Sequence, residues 1–158
     1  MSWQTAMKRL GEEINSKMVD QFALQGHKMT GAFEESLEVL PDDTGVTGMG
    51  NTYGIYVNIG VKADRMKFPF AKARIAGLTR FVEFRKGISG KPAEQIAKAI
   101  IGAWLRDGGM PTKASSKYSD NGKRTDFIDD AIEQVDVAEI LFQEFVSVID
   151  TQKNVTGR

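Results

Sequence analysis

Apolar residues in the first part of the chain recur with a helical period. Trp3, Met7, Leu10, Ile14, Met18 and Phe22 follow one another at steps of three or four, which sets them on one face of an amphipathic helix over residues 3 to about 28. Gly11 is a tolerated flaw in that helix and Gly26 marks its end. Phe33, Leu37 and Val39 then share one side of a weakly alternating strand over 33–40, closed by the turn Pro41-Asp42-Asp43-Thr44-Gly45. Residues 45–52 are uncharged and rich in Gly and Thr, and read as a flexible connection. The clearest alternation follows: Tyr53, Ile55, Val57 and Ile59 fall on one face, with Tyr56 and Asn58 opposite, which predicts a strand.

In the second half, 60–69 reads as a basic loop. Residues 70–86 fit either a helix or a strand, and Gly77 with the run Leu78-Thr79-Arg80-Phe81-Val82-Glu83-Phe84 favours the strand. Punctuation is sharper after that. Pro92 suits a first helical turn, Ile96, Ala97, Ile100, Ile101, Trp104 and Leu105 form a stripe, and Gly108-Gly109 ends it. Residues 110–125 are polar and long for a connection without structure of its own, which predicts a functional or mobile segment. Asp126 is placed to cap a last helical region. Ile128, Ala131, Ile132 and Val135 make one stripe there, and Val137, Leu141, Phe145 and Val148 continue it past a break near Asp136. The expected architecture is a single α+β domain over 1–150, with 151–158 as a flexible tail. An antiparallel sheet of about three to four strands would pack against the long N-terminal helix, the middle helix and the C-terminal helices.

Composition narrows the chemistry. The chain has 158 residues, 41% of them hydrophobic and 27% charged, within the range of ordinary globular domains. It has no Cys and one His, which excludes disulfides, zinc thiolates, iron–sulfur clusters, thiol catalysis and multi-histidine metal sites. No apolar run reaches the roughly 18 residues of a membrane span, and the polar start is unlike a signal peptide. These features predict a protein that resides or assembles inside a cell, without membrane contact.

The neutral total hides segregated charge. Residues 1–43 hold four basic and eight acidic residues, a net of −4. Residues 61–91 hold nine basic against two acidic, a net of +7, and residues 126–150 hold eight acidic and no basic residue. The basic patch comprises Lys62, Arg65, Lys67, Lys72, Arg74, Arg80, Arg85 and Lys86; the acidic one comprises Asp126, Asp129, Asp130, Glu133, Asp136 and Glu139. The two segments either neutralise each other within one copy or meet between subunits, or the basic one faces an anionic partner such as DNA. Charge alone does not choose.

Catalytic constellations are sparse. His27 stands beside Lys28 at a helix end, where a cation meets the helix dipole favourably. No Gly-x-Ser-x-Gly elbow is present to offer a nucleophile. Adjacent acidic pairs such as Glu12-Glu13 and Asp129-Asp130 diverge on a helix and need further ligands to hold a cation. Thr44-Gly45-Val46-Thr47-Gly48-Met49-Gly50 lacks the Lys-Ser/Thr ending of a phosphate loop. A small hydrolase is therefore the weakest reading. Phe68, Phe70, Phe81 and Phe84 interleave with the basic residues, a pattern open to core packing or to a nucleic-acid platform.

Three stretches together resemble the small tail-completion or neck proteins, the head–tail connectors, of long-tailed double-stranded-DNA bacteriophages. Thr30-Gly31-Ala32-Phe33-Glu34-Glu35-Ser36-Leu37, after a long N-terminal helix, is similar to that family's Thr-Gly, large apolar residue and Ser leading into a first strand. Tyr53-Gly54-Ile55-Tyr56-Val57-Asn58-Ile59-Gly60 resembles the family's aromatic strand, and so does Arg80-Phe81-Val82-Glu83-Phe84-Arg85-Lys86-Gly87. Arg124-Thr125-Asp126-Phe127-Ile128-Asp129-Asp130-Ala131 resembles the family's Arg-Pro-Phe-Leu-x-x-Ala at the start of the last helix, with Asp126 in place of Pro. The helix over 92–107 departs from the smallest members.

The resemblance implies a non-enzymatic structural protein with no cofactor and no metal. It would form a ring of six or twelve copies between portal or neck and tail-tube proteins, in the virion after assembly in the host cytoplasm. Non-specific contact with genomic DNA in the channel is part of that expectation. Thr30, Gly31, Phe33 and Ser36 are the motif positions, with Thr30, Gly31 and Ser36 shaping a helix-to-strand corner. The basic and acidic segments would supply the unlike patches that a ring contact needs. The alternative of another class is a nucleic-acid-binding accessory protein working through residues 62–91.

Overall fold

The computed structural model describes residues 3–156, with side chains described through residue 147 and at residue 149. Helix α1 (Trp3–Leu24) is the central element. Its stripe of Met7, Leu10, Met18 and Phe22 is buried, whereas Trp3 at its start is exposed. Short helix α2 (Ala32–Glu35) and strands β1 (Glu38–Pro41) and β2 (Val46–Met49) follow. The hairpin is antiparallel, with Glu38 opposite Met49 and Pro41 opposite Val46. Asp42 Oδ1 shapes its turn by accepting the N–H groups of Thr44 and Gly45. The segment expected as a flexible connection after Gly45 thus begins as a strand. Gly11 is not a flaw in α1: a Cβ there would stand 2.5 Å from Val39 Cγ1 and 2.8 Å from Val46 Cγ2. Its missing side chain is what lets the hairpin lie on the helix.

Helix α3 (Tyr53–Ile59), strand β3 (Val61–Lys62), helix α4 (Lys72–Lys86), helix α5 (Lys91–Asp107) and strand β4 (Gly109–Met110) make the middle of the chain. β3 and β4 pair antiparallel, Val61 opposite Met110 and Lys62 opposite Gly109. Helices α6 (Phe127–Glu133) and α7 (Val137–Thr156) close the chain. The architecture is α+β and mostly helical, with a long N-terminal helix and C-terminal helices as expected. Its strands form two separate two-stranded antiparallel pairs rather than one continuous sheet.

Two apolar clusters hold the α1 side together. Met18, Phe22, Phe33, Phe127 and Ala131 form the first. Phe22 and Phe33 stack with ring centroids 4.4 Å apart, and Phe127 meets both edge-on at 5.1 and 5.5 Å, a geometry that adds to simple burial. Met7, Leu10 and Val135 form the second, backed by Val46, Ile140 and Leu141. Separately, α4 packs on α5, where Ala93, Ala97 and Ile101 are fully buried at steps of four.

Five expectations are corrected here. The strand expected over 33–40 begins only at Glu38, because Gly31 at left-handed φ starts a helical turn over 32–35 that carries Phe33 into the core. Residues 53–59 are helical, because the positions turned inward are Gly54 and Asn58, four apart, while Tyr53, Ile55, Tyr56 and Ile59 stay exposed. The apparent alternation belongs to an outward surface. Residues 72–86 are also helical: Val82 is buried, with Ile75 and Leu78 half-buried on the same face, a period of three to four that outweighs β-propensity once α5 is there to cover it. Neither 53–60 nor 80–87 is therefore the strand that the phage-protein resemblance implied. Asp126 makes no side-chain cap and adopts left-handed φ of 64°; the cap of α6 comes from Asn58. Finally, α7 continues through Thr156 where a tail was expected from 151, and residues 157–158 lie outside the described residues.

Candidate functional site

The corner between α1 and β1 is built from the motif positions. Gly31 takes φ of 84°, a conformation that side-chain-bearing residues resist. Thr30 Oγ1 faces the Ala32 N–H at 3.4 Å, and Phe33 fills the first apolar cluster. Ser36 Oγ donates to Phe33 O at 2.6 Å and accepts the Asn51 N–H at 2.8 Å, joining the start of the hairpin to its end.

A polar knot fastens the end of α1 to residues 118–125. Gln25 is fully buried and its Nε2 donates to Thr125 O at 2.7 Å. Arg124 Nη1 donates to Gln25 O at 2.6 Å, and the Asp120 N–H to Leu24 O at 2.7 Å. His27 Nε2 lies 3.0 Å from Arg124 O, with its ring centroid 5.3 Å from that of Phe22. Burial, together with the neighbouring Arg124 charge, lowers the His27 pKa to about 4. This histidine is a neutral structural member rather than the solvent-facing cation expected at a helix end.

The basic residues lie along β3, the loop after it and α4. Lys62, Arg65, Lys67, Lys72, Arg80 and Lys86 are exposed. Arg74 Nη1 donates to Phe68 O at 2.8 Å, and Arg85 Nη2 donates to Gly26 O and Lys28 O, tying the end of α4 to the end of α1. Arg74 and Arg85 thus serve the fold, and the other six face solvent. Among them Phe68 is 81% exposed at φ 51°, a left-handed conformation that is costly for an aromatic residue. Phe70 and Phe84 are exposed as well.

The acidic residues lie on α6, at its start, in the break after it and in the first turn of α7, and do partly local work. Asn58 Oδ1 accepts the Ile128 N–H at 2.8 Å and its Nδ2 donates to Asp129 at 3.1 Å, capping α6. Asp130 pairs with Lys123 at 2.8 Å, Asp136 Oδ1 accepts the Glu139 N–H to cap α7, and Glu139 accepts from Gln143. Asp126, Asp129, Glu133, Asp136 and Glu139 are exposed. Among the described residues, no ion pair joins 61–91 to 126–150. Both patches keep an outward face.

The outward face of α7 was not expected. Phe145, read from the sequence as part of the inward stripe, is 66% exposed, Phe142 is 63% exposed, and Val146 and Ile149 are exposed beside them. Ile140, Leu141 and Glu144 turn to α1 instead, with Glu144 paired to Arg9. The signal that separates the two faces is that long-range pair, which spacing within α7 does not contain.

An open depression of about 460 Å³ lies between α1, residues 121–123 and α6, lined by Gln21, Leu24, Asn121, Lys123, Asp130, Glu133 and Gln134. Among the described residues no group of three His, Asp or Glu is arranged to hold a metal ion, and no helix is long and apolar enough to cross a membrane. No family model, curated protein or solved structure matches the chain.

Proposed function

We propose that this chain is a structural virion protein that assembles into a ring at the neck or tail of a long-tailed bacteriophage, completing the tail or joining it to the head. The supporting observation is the pair of unlike charged faces that the chain leaves exposed and unpaired with each other. Six exposed basic side chains on β3 to α4 and five exposed acidic ones around α6 and the start of α7 have no ion pair to each other within the copy. Contacts between different patches of identical copies generate rings when the rotation closes. The corner Thr30–Ser36 and the start of α6 supply the family resemblance, which the helical 53–59 and 80–86 do not extend.

In this reading the chain does no chemistry. Its work is to present complementary surfaces to its own copies and to portal, neck and tail-tube proteins, with basic loops tolerated beside genomic DNA in the channel. Electron microscopy of the purified protein at low salt tests it: annular particles of six- or twelve-fold symmetry are expected, and a field of single copies contradicts it. Portal and tail-tube genes beside this one are the genomic counterpart of that result.

Exposed Phe68 among Lys67, Arg65 and Lys62 favours one second reading, a nucleic-acid-binding accessory protein. An aromatic side chain held out among cations is suited to base stacking and phosphate contact. Steeply salt-dependent binding of bare DNA by a monomer would favour it over the ring.

A further inference from the structure

We infer that the outward face of α7 seats on the outward face of α4 in a neighbouring copy, a head-to-tail contact that rests on the ring reading above. On α7, Phe142, Phe145, Val146 and Ile149 recur at helical spacing on one exposed side. Two exposed phenyl rings one turn apart on the same helix side, with Val146 and Ile149, make an apolar surface of the kind that marks an interaction site. Glu139 stands one turn ahead of Phe142, with Asp136 and Glu133 beyond it, all exposed.

On α4 the relief is the opposite. Ala73, Ala76 and Gly77 form an exposed shallow strip, followed on the same side by Arg80 and Phe84. A Cβ added at Gly77 meets nothing within 4 Å, so no part of the same copy covers that strip. Large rings with an acidic N-terminal end on one helix face small side chains with Lys72 and Arg80 on the other. Phe142 to Ile149 spans about 10 Å along α7, and Ala73 to Phe84 about 16 Å along α4, so the strip is long enough to take the patch.

Charge decides the occupant. Packing α7 on α7 in parallel would bring Glu133, Asp136 and Glu139 of two copies together, and in antiparallel would leave them facing no described cation, whereas packing α4 on α4 would gather Lys72, Arg80 and Lys86. Like charges across an interface are costly, while unlike ones steer and register it. Of these three pairings, the α7-to-α4 arrangement alone joins apolar relief and opposite charge. It is heterologous, and each copy keeps one free donor face and one free acceptor face until a ring closes.

Because the chain has no Cys, single cysteines report the contact cleanly. Full-length Ala76→Cys and Val146→Cys proteins are prepared separately, mixed at low salt, and treated with a flexible bismaleimide. A cross-linked dimer in the mixture, absent from either protein alone, is expected. Alongside, Phe145→Ser should weaken self-association roughly tenfold or more, with an unchanged circular-dichroism spectrum and melting temperature. A dimer from Val146→Cys alone means α7 pairs with itself and overturns the inference. So does an oligomer in which both cysteines react with maleimide as fast as in the monomer, since the α7 face then serves another partner; the ring reading survives both results. A protein that stays monomeric under every condition overturns the ring reading and this contact together.

Discussion

Arg9 on α1 is ion-paired with Glu144 on α7, and its second Nη donates to Gln143 Oε1 at 3.1 Å. Glu144 is buried and Arg9 half-exposed, so the guanidinium supplies the charge that makes the burial tolerable. The pair fixes the rotation of α7. With Ile140 and Leu141 packed beside Met7, Leu10 and Val135, Phe142 and Phe145 face outward.

Replacing Arg9 by Met leaves that carboxylate buried without a counter-ion. The expected loss is about 2 kcal/mol of unfolding free energy by urea denaturation. The double variant Arg9→Met/Glu144→Gln should recover at least half of it, because no charge is then stranded. Equal losses in the single and double variants would show that the pair does not anchor α7.

Two glycines should respond to alanine with opposite sign. Gly26 has φ of 73°, and a Cβ there would come within 2.2 Å of Tyr118 O, so Gly26→Ala should cost about 2 kcal/mol or more. Gly77 lies inside α4 with open space around it, so Gly77→Ala should stabilise the monomer by about 0.5–1 kcal/mol through helix propensity. Thermal melts at a concentration below self-association check both.

His27 makes stability depend on pH. Its folded pKa of about 4 lies below the unfolded value of 6.5, so the unfolded chain binds the proton first as pH falls. The contribution is full above pH 6.5 and is lost progressively as pH falls toward 4. Between pH 7 and 5, where most carboxylates stay ionised, the melting temperature of the native protein should fall more than that of His27→Gln. Parallel curves would contradict a buried neutral imidazole.

How much of this was legible in the sequence differs by region. The stripe of α1 and the Pro92-to-Gly108 helix were readable, because each has a partner on one side only and its period is undiluted. At α3 and α4 the pattern misled. Tyr53, Ile55 and Ile59 are apolar but outward, so hydrophobicity did not track burial, and the decisive inward positions were the small Gly54 and the polar Asn58. The same reversal hid the face of α7, where a buried Glu144 and exposed Phe142 and Phe145 invert the usual rule. Charge segregation could be counted directly, but only the fold shows that, among the described residues, the two segments stay unpaired with one another.

Salt should act on assembly rather than on folding. The contact proposed between copies is charge-matched and peripheral, and screening shortens to a few ångströms near 1 M salt. Raising ionic strength should therefore lower the oligomer fraction in sedimentation velocity while the circular-dichroism spectrum of the chain stays constant. An oligomer strengthened by salt would instead point to purely apolar association.

The central claim is that identical copies join through unlike faces into a closed ring, and native mass spectrometry across protein concentration at low ionic strength tests it most directly. The account predicts one discrete assembly, six or twelve times the chain mass, growing at the expense of the monomer without an open-ended ladder. A monomer at every concentration, or a dimer that goes no further, would contradict it.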